Sequence, residues 1–325
     1  MIANTPTDIL QFIVECDAEN IETVLVTLVG IEGGSSRAIG AQMAVAADGR
    51  RVGSFSGGCV EDAVVTEALE TLSEGWGRVV RYGLGSPYID VRLPCGGGID
   101  LLFTPRPDAS AIRTALDKLG QREAVGLALE CDSILLLPAP TPRAWDGQSL
   151  HQSYQPALRI FALGQGEDLA AFARLGAYFG AEVHALTPDQ NTVNLLKSEG
   201  IHATLLATRN ALPIAQSDAW TAIVFLFHGR DWEEILLQQA LALPSFYVGA
   251  IGSRRTHAAR LAMLEECGVS PERIASVRGH IGLIPATRDP ATLALSILGE
   301  IVADFNTLAQ WSHWMGQALA APSTA

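Results

Sequence analysis

The sequence is poor in positive charge and in cysteine, and it lacks the long apolar and basic tracts that mark whole classes of function. Twenty-two lysines and arginines against 35 aspartates and glutamates leave a formal net charge of −13 over 325 residues. With no basic block, the chain does not read as a nucleic-acid binder. An acidic surface still permits an anionic small ligand, because loop amides can hold one locally. No apolar run reaches the ~18 residues that span a bilayer, so no membrane association is expected. The opening "MIANTPTDILQFIVECDAEN" lacks the basic leader and small-residue cleavage site of a secretory signal. It reads as a short amphipathic helix capped by Thr7 or Asp8. The five cysteines (Cys16, Cys59, Cys95, Cys131, Cys267) are odd in number, scattered and free of CxxC pairs. That pattern argues against a disulfide framework or a zinc site and predicts a reducing cytoplasmic setting.

What is present divides at a proline-rich stretch. Residues 1–140 are strand-rich, with β-like runs at 22–30, 41–47, 77–83 and 98–105 and a turn signal "DGR" at 48–50. A helix is expected from near Cys59, with Val60, Val64, Ala68 and Leu72 on one face. A further helix (109–119) and two apolar runs (124–130, 133–138) follow. Residues 141–156 fall in "PAPTPRAWDGQSLHQSYQP", which reads as a linker. Residues 157–325 alternate strand and helix, with a fully apolar strand at 219–227 and a last long helix over about 290–305. The fold class is therefore α/β: an N-terminal mixed α+β domain, then a doubly wound parallel sheet.

"LGQGEDLAAFA" places Gly164-x-Gly166 between a strand and a helix, the context of a dinucleotide loop. Leu169 stands at the third glycine position. Glu167 and Asp168 bring two negative charges to the helix N-terminus, which would repel a phosphate. Thr187 ends the second strand where a ribose-binding acid is expected, with Asp189 two residues on. These features favour a Rossmann-type domain that has lost or changed its ligand over one that binds NAD(P). His228 ends the apolar strand at the edge where ligands gather; it is either a functional group or a packed residue. "YVGAIGSRR" offers Ser253 and Arg254 as anion contacts or as a plain strand-to-helix turn, and His280, Thr287 and Arg288 lie in a later loop.

In the first half, "EGGSSRAIG" presents Ser35 and Ser36 in a loop able to aim amides and hydroxyls at one anion. "SGGCVED" carries Gly57, Gly58 and Cys59 at a strand-to-helix junction, where the helix N-terminus favours thiolate and Glu61 and Asp62 oppose it. "PCGGG" carries Cys95, Gly96 and Gly97, with little side-chain cover around the sulfur. Cys16, Cys131 and Cys267 lie in apolar patterns and are expected in the core.

The segments "GSSRAIGAQMAVAADGRRVGSFSGGCVEDAVVTEA", "CGGGIDLLFTP", "FHGRDWEEILLQQAL" and "FYVGAIGSRRTHAARLAMLEECGV" resemble the xanthine dehydrogenase accessory factor (XdhC/CoxI) family over most of residues 20–305. The resemblance implies an N-terminal XdhC/CoxI domain and a C-terminal Rossmann domain in a molybdenum-cofactor chaperone without turnover of its own. Such a protein binds the molybdopterin cofactor and protects it while a cysteine desulfurase supplies sulfur. It then delivers the cofactor to a molybdenum hydroxylase, a xanthine dehydrogenase or aldehyde oxidoreductase. Cys95 would then contact molybdenum, Gly57, Gly58, Gly96 and Gly97 would admit the ligand, and Ser35, Ser36 or Arg254 would meet its anion; a homodimer is possible. The chain departs from the family pattern at four places. The first loop lacks its proline before Arg37. Gln165 and Glu167 replace a small residue and a histidine, and Phe227-His228-Gly229 replaces Thr-His-Asp. Ile284 and Ala286 stand where an aspartate and a glycine are usual. The rival readings are an NAD(P)-dependent oxidoreductase and a nucleotidyl or redox-sensing regulator centred on Cys59.

Overall fold

The computed structural model describes residues 5–58, 60–86 and 96–318. Two compact units result, one running to Pro156 and including the chain from Gln310, the other Ala157–Ala309.

The first unit opens with α1 (Pro6–Ala18). Its cap is Thr5, earlier than Thr7 or Asp8, because the Asp8 carboxylate turns back to accept the Thr5 amide at 2.8 Å. Strands β1 (Thr23–Glu32), β2 (Gln42–Ala46) and β3 (Arg51–Gly53) lead into α2 (Glu61–Glu74), then β4 (Arg78–Gly83) and β5 (Gly98–Pro105). They form an antiparallel sheet in the order β3-β2-β1-β5-β4. Alternation along β1 feeds two cores. Val24, Val26 and Leu28 face one with α2, through Val60, Val64, Ala68 and Leu72. Leu25 and Val29 face the other, with α1 and α3 (Ala109–Gly120).

That second core is closed by another antiparallel sheet. Its strands are β6 (Val125–Leu129), β7 (Ile134–Leu136), β8 (Ala144–Trp145) and β9 (Leu150–Tyr154), in the order β7-β6-β9-β8. The stretch expected as a linker therefore belongs to the first unit. Leu150, Gln152 and Tyr154 are buried at a period of two, β9 pairs with β6 along its length, and the Tyr154 hydroxyl donates to Gln42 at 2.9 Å.

In the second unit, β10 (Arg159–Gly164), α4 (Gly166–Phe179), β11 (Glu182–Thr187), α5 (Gln190–Ser198), β12 (His202–Leu205) and β13 (Thr221–Leu226) come first. Next are α6 (Glu233–Ala242), β14 (Tyr247–Ala250), α7 (Arg254–Glu266), α8 (Pro271–Ser276), β15 (Val277–Gly279) and α9 (Pro290–Ala318). All six strands are parallel, in the order β12-β11-β10-β13-β14-β15. Strand order reverses between β10 and β13, which opens a crevice at their carboxyl ends. α6 and α7 are clamped by a fully buried pair: Arg260 donates to both Glu233 oxygens at 2.8 and 2.9 Å and to the Ile251 carbonyl at 2.8 Å.

Within α9, Pro290–Leu308 is long and apolar enough by composition to cross a membrane. Its contacts are those of a packing helix. Ala294, Ile297, Leu298 and Ile301 are buried, Glu300 accepts from the Tyr247 hydroxyl, and Asp304 pairs with Arg278. Burial, followed by the nearby Glu300 charge, pushes the Tyr247 phenol well above its ordinary range.

Candidate functional site: three glycine loops and a closed crevice

Three loops of the first unit meet at one end of its larger sheet. The β1–β2 loop is stitched to the loop that precedes α2. Ser36 Oγ donates to the Phe55 carbonyl at 2.7 Å, and Arg37 Nη2 donates to Ser54 Oγ at 3.3 Å. On its other side the same loop lies against Gly97. A Cβ on Gly97 would fall 2.2 Å from the Gly34 carbonyl, and one on Gly33 would meet Gly97 Cα at 3.4 Å. Only glycine allows this backbone contact. Gly57, Gly58 and Gly96 all have positive φ, and added Cβ atoms there would meet nothing within 4 Å. Ser35, Ser36, Gly57, Gly58, Gly96 and Gly97, far apart in sequence, thus converge on one open-faced cradle. Cys59 and Cys95 lie outside the described residues.

The loop before α2 is folded around its own acid. Glu61, 4% exposed, accepts from the Phe55, Ser56 and Gly57 amides through Oε1 at 2.9, 2.8 and 3.2 Å. Oε2 accepts from Ser56 Oγ and the Gly58 and Val60 amides at 2.9, 2.7 and 3.3 Å. Burial pushes this carboxyl up, but the donors from Ser56 and Phe55 outweigh it and hold the group at about 2. The arrangement is a backbone anion nest already filled by a side chain. The sequence places Glu61 in the first helical turn as a partner of the dipole. Its reach back into the loop follows from two glycines that bend the chain over it.

Neighbouring polar groups are paired. Arg81 bridges Asp100 at 3.2 Å and Glu32, and donates to the Leu84 carbonyl at 2.7 Å. Gly30 faces Asp100 across β1 and β5, and a Cβ there would sit 2.4 Å from its carboxylate. Among the described residues no cluster of three or more histidine, cysteine or acidic side chains could hold a metal ion. Cys16 is buried as expected, and Cys131 is partly so. Cys267 caps the C-terminus of α7 and is exposed, a correction to its expected place in the core.

In the second unit, the crevice between β10 and β13 is bridged by a side-chain pair. His228 Nε2 lies 3.0 Å from Asp168 Oδ2, and Asp168 is largely buried. An acid of the first turn of α4 is thus turned towards the end of β13, and its charge opposes an anion at that helix N-terminus. The ribose-binding acid is missing as well. Thr187 is buried, and Asp189 caps α5 by accepting from the Asn191 and Thr192 amides and the Thr192 hydroxyl. The close helix–strand approach that Leu169 denies is made two turns later by Gly176, where a Cβ would meet Val183 at 2.9 Å.

At the end of β14, Ser253 caps α7, accepting the Thr256 amide at 3.2 Å, and Arg254 is exposed. His280, in the left-handed region at φ 55, sits with Nδ1 3.0 Å from the Gly252 carbonyl and packs edge-on against His257. Burial and the Arg260 and His280 charges hold His257 below the ordinary histidine range. The stretch 278–290, which reads from the sequence as an irregular loop, begins as strand: β15 pairs with β14.

Residues 16–83 match the XdhC and CoxI family model, and residues 160–301 match the XdhC Rossmann domain. Over 297 residues the chain is 38% identical to the molybdenum cofactor insertion chaperone PaoD of Escherichia coli (strain K12), covering 91% of this chain and 87% of that one. The chain belongs to the XdhC/CoxI family. It is also 25% identical over 283 residues to the uncharacterized protein YqeB of the same organism, covering 83% of this chain and 41% of YqeB. The fold matches that of a Bacillus halodurans protein crystallised as a xanthine dehydrogenase, with a TM-score of 0.76, 19% identity, and 93% and 97% of the two chains covered. Within this family member, Ala286 retains a glycine-like backbone at φ 57 although it carries a side chain.

Proposed function

We propose that this protein is a molybdenum-cofactor chaperone whose first unit holds the pterin cofactor as cargo. The observation that carries the reading is the convergence of three glycine loops on one cradle whose outward face bears no side chains at Gly57, Gly58 and Gly96. A flat, phosphorylated heterocycle needs that kind of backbone access. The relationship to PaoD supports the same reading. Cys95 and Cys59 lie in the chain beside these loops and are the proposed contacts for molybdenum or its sulfur ligand, a thiophilic centre. We further propose a molybdenum hydroxylase as client, a cysteine desulfurase as partner in sulfuration, a cytoplasmic setting and a homodimer. As a carrier it would turn over no substrate of its own.

An NAD(P)-dependent oxidoreductase fits less well despite the strand order of the second unit. The Glu167 and Asp168 charges oppose a pyrophosphate at the start of α4, and Asp189 is committed to a helix cap.

The test is to purify the chain from cells that make the cofactor, oxidise it in acid and measure pterin fluorescence, beside Cys95→Ala. Pterin is expected with the wild type and reduced with the variant. No pterin with the wild type, where a working carrier treated identically retains it, removes the reading.

A further inference from the structure

We propose that Arg37 is the residue that recognises the phosphate of the bound pterin; the inference rests on the carrier reading above. The glycine loops first suggest amides as the phosphate contacts, but those of the described residues before α2 are held by Glu61. Glu61 accepts the amides of Phe55, Ser56, Gly57, Gly58 and Val60, so among the described residues the loop before α2 offers its fold and not its amides. The hydroxyl proton of Ser36 goes to the Phe55 carbonyl, and Ser35 Oγ accepts the Arg37 amide at 3.2 Å.

The charged donor beside the cradle is a guanidinium. Arg37 is exposed at the seam between the two stitched loops, and its side chain has one hydrogen bond among the described residues, to Ser54 Oγ. Other arginines of the same sheet and its loops are neutralised: Arg50 by Glu19 and Asp48, Arg51 by Asp62, Arg78 by Glu67 and Glu74, Arg81 by Glu32 and Asp100, and Arg106 by Glu22. Among the described residues Arg37 has no carboxylate partner. In a chain of net charge −13, an arginine left without an acid beside a cradle is the local positive potential an anion would find. The planar fork suits a phosphate monoester bidentately, and the Ser54 contact orients it without satisfying it. The ligand class is thus a phosphate ester of a pterin, with Arg37 on the ester and the glycine faces against the ring.

The experiment uses two fluorescent probes, the phosphorylated pterin released by acid oxidation of the cofactor and the same pterin after phosphatase treatment. Both are titrated into the full chain, Arg37→Gln and Arg37→Lys, with inorganic phosphate as competitor. The wild type is expected to prefer the phosphorylated probe by at least about tenfold, the scale of one charge-assisted contact. Arg37→Gln should abolish that preference while leaving affinity for the dephosphorylated probe and the melting temperature unchanged. Arg37→Lys should fall between, and it carries the test if Arg37→Gln does not fold. A preference unchanged in both variants overturns the assignment, as does a wild type that binds the two probes equally, and in both cases the carrier reading stands. A wild type that binds neither probe removes the assignment and the reading together.

Discussion

Replacing Glu61 with glutamine should cost about 3 kcal/mol at neutral pH, and the cost should fade in acid. A fall in pKa from 4.5 to about 2 corresponds to about 3 kcal/mol of preferential stabilisation of the ionised form, at 1.36 kcal/mol per unit. The geometry gives the same direction. Each carboxylate oxygen accepts three donors, so a glutamine must turn its NH2 towards three N–H or O–H groups. Because the folded-state pKa is depressed, the stabilisation is full above the unfolded value of 4.5 and disappears as pH falls towards about 2.

The assay is thermal unfolding of wild type and Glu61→Gln from pH 7 to pH 2, read as the difference between them. Taking the difference cancels other low-pKa carboxylates such as Asp48 and Asp146, which titrate in both proteins. A loss of about 3 kcal/mol corresponds to roughly 6–12 °C in a unit of this size. The gap should be widest above pH 5 and close below pH 3. A gap that stays constant or widens with acid would refute the claim that the Glu61 charge holds the loop.

Gly97→Ala should disrupt the cradle because its Cβ would fall 2.2 Å from the Gly34 carbonyl, whereas Gly57→Ala, in open space at φ 77, should cost only about 1 kcal/mol; paired melting curves check the contrast. Glu233→Gln should destabilise the second unit by about 3–5 kcal/mol by leaving Arg260 buried without its charge partner, and replacing both residues with apolar ones should cost less in the same denaturation assay. Calorimetric titration with NAD(P) should give no saturable heat, and micromolar binding would return the oxidoreductase to contention.

Much of the fold was legible where periodicity was strong. The apolar face of α2 and the continuous run of β13 needed no tertiary information. β9 was hidden because prolines and turn formers surround it, although Leu150, Gln152 and Tyr154 carry the alternation of a half-buried strand. β12 and β15 are four and three residues long, too short for a period to register. At the site, the glycine loops stood out in the sequence, but their convergence did not. It depends on β1 pairing with both β2 and β5, which brings loops some 60 residues apart side by side. Glu61 was visible only as an acid in a first helical turn, since its inward turn is set by backbone at Gly57 and Gly58.

Glu61 and Asp168 illustrate how one chemical feature, an acid at the start of a helix beside a glycine loop, leads to opposite outcomes. At Glu61 the acid turns inward, gathers the loop's donors and leaves an outer surface of bare backbone. At Asp168 it turns across the crevice to His228. The first arrangement leaves the backbone at Gly57 and Gly58 uncovered among the described residues, and the second sets a paired carboxylate in the crevice. Electrostatics follows the same division, since among the described residues Arg37 has no carboxylate partner at the cradle while the crevice presents Glu167 and Asp168. A Rossmann strand order in the second unit carries no obligation to bind a nucleotide.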